Sequence, residues 1–286
     1  MNTKHRVLIV GCGDLGMRIA TLLLKHSDVQ CWGLRRKIPD KSPDTRFEWI
    51  AADISHPESL GAIPQNVTDI VYCAAPGERT EHAYRSVYLS GLQAVTQVLD
   101  KTVLKRIVFV SSTAVYGDHG DAWIDESTPT EPKAFNGRIL LETEKWLELF
   151  GQAHPMIKTI NARLSGIYGP GRNYLIERIR NGLASAPNDL THWVNRIHIE
   201  DAASAIVHLL YLQDPASLYL VTDSTPLPMR TLYEEIAKLT GAPTPRVGQP
   251  PESVGSKRLR NQRLIDSGYV FKWPDSRIGH AALLSS

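Results

Sequence analysis

Cysteine is scarce in this chain: its 286 residues hold three, Cys12, Cys31 and Cys73. So few, odd in number and widely spaced, they supply neither a disulfide framework nor a CxxC metal pair. Each falls in or beside an expected core strand or loop, where cysteine acts as a small hydrophobe. A reducing cytoplasm is the expected location. No apolar run reaches the roughly 18–20 residues that a membrane span requires. The opening MNTKHRVLIVGCG runs straight into glycines, where a signal peptide would carry a longer apolar region and a cleavage site. A dominant charge of one sign is also missing, since 32 Lys and Arg face 30 Asp and Glu for a net +2. No basic stripe interleaves with aromatics, which argues against a nucleic-acid partner. The ten histidines form no HExxH, and His192 and His198 are poorly spaced for a helical site, so no metal is expected.

What is present is alternation. Arg6–Val10 reads as a β-branched strand and Leu15–His26 carries apolar residues at helical spacing. Strand-like runs follow at Gln30–Leu34, Phe47–Ile50, Asp69–Ala74, Arg106–Val110 and Ile157–Leu164, with long helices expected over Arg79–Lys101 and Gly137–Gln152. Short apolar strands separated by helices predict an α/β fold, a doubly wound parallel sheet of Rossmann type covered on both faces. After Gly166 the pattern loosens. Helices are expected at Asn173–Leu183, Glu200–Leu212 and Met229–Thr240, with strands at His192–Ile199 and Ser217–Val221. The expected division is a dinucleotide-binding domain over 1–165, to which 192–215 returns, and a smaller substrate lobe from 166–191 and 216–286. No clean linker separates them.

The chemistry begins at Gly11-Cys12-Gly13-Asp14-Leu15-Gly16, a GxGxxG preceded by the strand VLIV and followed by the helix MRIATLLL. Gly11 permits the tight turn, Gly13 lets the backbone approach a pyrophosphate, and Gly16 allows close helix–strand packing. The helix N-terminus then offers unpaired N–H groups to phosphates. At the end of the second strand, where an acid would bond the ribose hydroxyls of NAD, the chain has Leu34-Arg35-Arg36-Lys37. A guanidinium binds a 2′-phosphate bidentately, so NADP is favoured over NAD. Asp53, after the third strand, has two open roles, accepting from the adenine amino group or capping the next short helix. Ala74 and Ala75, after the fourth strand, leave room for a nucleotide.

In VFVSSTAVYG (Val108–Gly117), ARLSGIYGPGR (Ala162–Arg172), NRIHIEDAASAI (Asn195–Ile206) and YLVTDSTPLPMRTLYEEIAKLTG, the chain resembles an extended or atypical short-chain dehydrogenase/reductase of the NAD-dependent epimerase/dehydratase branch. The resemblance spans nearly the whole sequence. It implies a Ser or Thr that bonds the reacting oxygen, a YxxxK tyrosine as acid/base, and a lysine that lowers that tyrosine's pKa from about 10. Ser112 matches the first group by its spacing to Tyr116-Gly117, and Thr113 beside it is a substrate candidate. Capping of the strand end is the structural alternative for both. The segment that would carry YxxxK reads Lys133-Ala134-Phe135-Asn136-Gly137-Arg138-Ile139-Leu140, with no tyrosine between Tyr116 and Tyr168. Phe135 or Asn136 then stands at the tyrosine position and Ile139 or Leu140 at the lysine position. Tyr88 is a candidate displaced acid/base, with a helix-face packing role as the alternative. Tyr168, Arg172 and Arg196 are candidate substrate contacts, the arginines for an anionic substrate such as a sugar nucleotide.

Two functional classes follow. One is an NADP-dependent oxidoreductase or epimerase acting on a hydroxyl or carbonyl, with Ser112 holding the oxygen. The other is a non-catalytic NADP-binding sensor or scaffold, consistent with loss of tyrosine and lysine together. By analogy with the family, a homodimer would form through the two long helices.

Overall fold

The computed structural model describes residues 5–188, 190–250 and 255–285. Its centre is a seven-stranded sheet of β1 (His5–Val10), β2 (Val29–Arg35), β3 (Phe47–Ala51), β4 (Asp69–Tyr72), β5 (Arg106–Ser112), β6 (Lys158–Leu164) and β7 (Leu218–Val221). The order across the sheet is β7-β6-β5-β4-β1-β2-β3. β1 pairs in parallel with both β2 and β4, β2 with β3 and β4 with β5. Such strands are covered on both faces and need continuous apolar runs. Val7, Leu8, Ile9 and Val10 are accordingly all fully buried.

Register decides what meets at the carboxyl edge. Val10 lies opposite Leu34 and Tyr72, and Arg35 opposite Ala51. The residues that follow these positions therefore emerge along one edge: the glycine loop, Arg36, Ala52-Asp53 and Ala74-Ala75. The right-handed crossover from β1 to β2 runs through α1 (Asp14–Leu23), which buries Leu15, Ile19, Ala20 and Leu23.

The helix expected over Arg79–Lys101 is present in three pieces: α2 (Glu81–Tyr84), a π-helical stretch Arg85–Ser90, and α3 (Gly91–Val98). The buried Tyr72 explains the change of pitch. Its hydroxyl donates to the Val87 carbonyl, and a Cβ at Gly91 would lie 2.6 Å from that hydroxyl oxygen. A side chain from the sheet thus inserts into the helical hydrogen-bond ladder, a recognised cause of such bulges. The other long helix is α4 (Phe135–Ala153).

The chain forms two compact units. The first comprises 1–111, 138–162 and 203–218, and the second 112–137, 163–202 and 219–286. Segments 112–137, 163–165 and 192–202, expected with the first domain, fall in the second unit, and 216–218, expected with the smaller lobe, in the first. The second unit has its own core around Ile176, Ile179, Val194, Leu232 and Ile236. It also contains the first turn of α5 (Ile199–Tyr211), the amphipathic α6 (Met229–Thr240) and α7 (Ser276–Ser285). His192–Ile199, expected as one strand, is two: Trp193–Val194 pairs with Leu227–Pro228, and Arg196–His198 pairs with Gly166–Tyr168. Asn195 makes the break, its amide donating to the Lys257 carbonyl at 3.0 Å and its side-chain oxygen accepting from Leu259 N–H at 2.9 Å. Among the described residues no helix is long and apolar enough to cross a membrane, and no group of His, Cys, Asp and Glu is placed to hold a metal.

Candidate functional site

In the first unit the three motif glycines have three different surroundings. Gly11 has φ +83°, and a Cβ on it would lie 2.2 Å from Ala74 Cα, so backbone and neighbouring strand both demand glycine. At Gly16 a Cβ would meet Ile9 Cγ2 and the Gly11 carbonyl oxygen at 3.1 Å each, which is helix packed on strand. Gly13 is the exception: a Cβ there would meet nothing nearer than the Gly11 oxygen at 4.0 Å. The fold leaves that space empty, as a cradle for a pyrophosphate requires. Gly13 also caps α1 without any side-chain hydrogen bond. Asp14 opens the helix and pairs with Arg18 at 2.9 Å, and Leu15 packs inward.

The two arginines after β2 separate. Arg35 is half-buried, its guanidinium 5.9 Å from the centre of the Trp49 indole on β3. Arg36 is exposed, with Nη2 3.7 Å from the place a Gly77 Cβ would take, and its charge helps to lower the Asp53 pKa. It thus stands beside the segments that follow β3 and β4. Asp53 is held below the ordinary carboxylate range chiefly by Ser55, whose hydroxyl and N–H donate to Oδ1 at 2.6 and 3.0 Å. The turn after β3 thus engages one Asp53 oxygen. Ala74 is buried and Ala75 exposed.

Ser111, the last β5 residue of the first unit, donates to buried Glu144 of α4 at 2.5 Å. In the second unit, Ser112 Oγ accepts from Ala114 N–H at 3.2 Å, capping the short 3-10 turn Thr113–Tyr116. Because Oγ is occupied as an acceptor, its own proton is left to donate. Thr113 is buried in that turn. Tyr88 lies in the π-helical stretch, its ring 5.4 Å from Tyr84 and 6.1 Å from Phe109. Burial pushes its phenol well above the ordinary range, which makes it a poor proton carrier near neutrality. Tyr168 and Arg196 are brought together on paired strands, Arg196 opposite Gly166 and His198 opposite Tyr168. Arg172 is exposed on the loop after Tyr168.

Several residues were given no chemical role by the sequence. Asn136 has its side-chain oxygen enclosed without a hydrogen-bond partner among the described residues. Lys257 is buried, donates to the Gly117 carbonyl at 2.9 Å, and has its pKa pulled down to about 8 by burial. Ser276 belongs to no motif, and Asp223 lies in the YLVTDSTP segment without a role of its own there. What marks them is burial together with polarity, which only packing reveals.

A model of the NAD dependent epimerase/dehydratase family matches residues 7–219, which include the glycine loop, β5 and its turn, and the paired strands of Tyr168 and Arg196. The chain belongs to this family. Protein YeeZ of Escherichia coli K12 is 32% identical over 188 residues, 64% of this chain. The chain spans 65% of the length of the curated relatives it matches. A Methylobacillus flagellatus structure with an NAD-dependent epimerase/dehydratase assignment is 34% identical, with a TM-score of 0.80 over 99% of this chain and 98% of that one. The UDP-glucose 4-epimerase of Thermus thermophilus, in complex with NAD, is 19% identical with a TM-score of 0.81 and 98% of both chains covered. That likeness is one of fold, and it carries the family's architecture to both ends of the described chain.

Proposed function

We propose that this epimerase/dehydratase-family protein binds NADP and acts on a hydroxyl or carbonyl group of a small molecule of the sugar-nucleotide class. The observation that carries the cofactor reading is the empty space over Gly13, where a side chain would touch nothing and a phosphate can approach backbone N–H groups. The position of Arg36 supports the 2′-phosphate: it is an exposed guanidinium at the strand ends, whereas Arg35 lies against an indole. The substrate class is supported by relatives of the same fold, one of them the UDP-glucose 4-epimerase of Thermotoga maritima with UDP-glucose.

When bound, the nicotinamide supplies a hydride acceptor or donor. The chain's own part is to position and to bond. Gly11–Gly16 and the start of α1 hold phosphates, and Arg36 holds the ribose phosphate. Ser112, its oxygen already accepting from Ala114, donates its proton to the reacting oxygen. The family's tyrosine and lysine positions fall on Phe135 or Asn136 and on the buried Ile139 or Leu140, none of which exchanges a proton at neutral pH. Asn136 binds oxygen or nitrogen without titrating, so the proton must come from the substrate, from water or from a second side chain.

Parallel titration with NADPH and NADH tests the cofactor. A ligand at 100 times its dissociation constant raises stability by about 2.7 kcal/mol, a clear melting shift. Arg36→Ala is expected to weaken NADPH about 10- to 100-fold and to leave NADH nearly unchanged, the loss of a charge-assisted pair. Arg35→Ala is expected to leave the NADPH/NADH ratio as it was. Absence of any nucleotide shift in cofactor-free protein would overturn the reading. For the chemistry, Ser112→Ala is expected to lower kcat for NADPH oxidation about 100-fold at unchanged NADPH affinity, read by stopped-flow across aldehyde, ketone and sugar-nucleotide panels.

A further inference from the structure

Asn136 Oδ1, in the first turn of α4, is enclosed and meets no hydrogen-bond partner among the described residues. Buried polar atoms in folded proteins are nearly always paired, so an oxygen left in this way calls for a donor from outside the chain. The residue as a whole is half-buried, which keeps its amide within reach of a small molecule.

The neighbouring residues, all of the second unit, show why the protein supplies no donor here. Gly137, the next residue, is pressed on the 3-10 turn Thr113–Tyr116: a Cβ on it would lie 2.6 Å from the Ala114 carbonyl oxygen and 2.7 Å from Pro132 Cβ. The turn therefore shows α4 an acceptor. The Ala114 N–H is already taken, donating to Ser112 Oγ at 3.2 Å. The turn is also held from its far end. Gly117 follows it at φ +71°, where a Cβ would be 2.3 Å from the Glu131 carbonyl oxygen. Lys257 Nζ donates to the Gly117 carbonyl at 2.9 Å, and a Cβ on Gly255 would lie 2.3 Å from that same oxygen. Tyr116 is buried, and its hydroxyl is committed to the Asp125 carbonyl at 2.9 Å.

Two groups are left over at this turn, and they are opposite in kind. Ser112 has a proton to give, since its oxygen already accepts, and Asn136 has an oxygen to offer. A hydroxyl satisfies both at once, accepting from the serine and donating to the asparagine. A ketone or aldehyde oxygen only accepts, so it would bond Ser112 and leave the Asn136 oxygen stranded. A site built to bond a hydroxyl rejects the analogue that lacks it, because the site's own polar atom is then unpaired.

We propose that Asn136 is a specificity-determining residue which, with Ser112, makes the site select a ligand hydroxyl over the corresponding carbonyl. This rests on the reading of the chain as acting on a hydroxyl or carbonyl of a small molecule, and it decides between the two.

Ligand-observed NMR titration of the full chain with cyclohexanol and with cyclohexanone, a pair matched in ring and size, tests it in wild type, Asn136→Ala, Asn136→Asp and Ser112→Ala. Wild type is expected to bind the alcohol about 10-fold more tightly than the ketone. Asn136→Ala is expected to bring the two to equal affinity at an unchanged melting temperature, since the oxygen it deletes bonds no described residue. Asn136→Asp keeps an acceptor, places its charge in the first turn of a helix where it is tolerated, and should keep the preference. Ser112→Ala should weaken both probes. Three results would overturn the assignment: binding of neither probe to wild type; an alcohol preference that survives Asn136→Ala; or ketone binding equal to or tighter than alcohol binding in wild type. A ketone preference that is lost in Asn136→Asp would show the amide nitrogen, not the oxygen, to face the ligand. No nucleotide is present in these titrations, so failure of the cofactor reading shows separately, in the nucleotide melting shifts.

Discussion

Replacing Gly13 by alanine is expected to leave the melting temperature at or slightly below that of the wild type while NADPH affinity falls about 100-fold, the cost of two charge-assisted hydrogen bonds at roughly 1.5 kcal/mol each. The separation of the two effects comes from the geometry. An added methyl at 13 meets no protein atom nearer than the Gly11 oxygen at 4.0 Å, so packing does not oppose it, and only the backbone, at φ −89° and ψ −146°, resists alanine. The same methyl occupies the space through which phosphate oxygens would reach the first N–H groups of α1. Gly11→Ala is the contrasting control. There the Cβ would lie 2.2 Å from Ala74 Cα on a backbone with φ +83°, so the loop cannot keep its path and the first unit should lose stability outright. Thermal melts of both variants with and without NADPH read all four quantities. If Gly13→Ala bound NADPH as wild type does, the glycine loop would not be where the cofactor sits.

The second large effect is structural and lies in the second unit. Asp201, in the first turn of α5, is 1% exposed and gathers distant donors. Lys272 N–H and Trp273 N–H donate to its carboxylate at 2.9 and 2.8 Å, and the Tyr269 hydroxyl stands 3.1 Å from Oδ1. Asp201→Ala takes the acceptor from two part-buried backbone N–H groups. At about 1–3 kcal/mol for each unsatisfied donor, the loss is on the order of 4 kcal/mol. The melting transition is expected to fall by about 10 °C for a unit of this size. Asp201→Asn keeps the shape and one acceptor oxygen and should fall by less than half as much. Since Asp201 binds through residues 269–273, limited proteolysis should cut Asp201→Ala first in its C-terminal segment. Equal melting temperatures for Asp201→Ala and wild type would show that these donors find other acceptors.

The likeness between what could be read along the chain and what the fold contains has a clear limit. The alternation of strands and helices was legible because period and turn residues act within a few positions: VLIV, the glycine loop and MRIATLLL each declare themselves locally. The helix ending at Gly241 was legible to the residue, since a left-handed glycine at φ +65° closes it and glycine alone adopts that backbone freely. The interruption of the helix after Arg79 was not legible, because its cause is Tyr72, a residue of another element. The segment from Lys257 carries basic residues and shows no periodic pattern. In fact Arg258–Leu259 pairs with Trp123–Ile124, and Arg258 lies between the rings of Trp123 and Trp193 at 5.1 and 4.8 Å.

The same division runs through the candidate sites. Composition and spacing by themselves determined the α/β class, the glycine loop between the first strand and helix, a basic end to the second strand and a serine at the end of the fifth, because these depend on residue type and local order. They also determined that no tyrosine stands between Tyr116 and Tyr168. Only the tertiary structure decided that Arg35 lies against an indole while Arg36 is exposed, since the two differ through Trp49 of β3 and Gly77 of the loop after β4. It alone pressed Gly137 on the turn that Ser112 caps and left the oxygen of Asn136 enclosed. Whether a buried polar atom has a partner is a property of packing, and no local pattern in a chain records it.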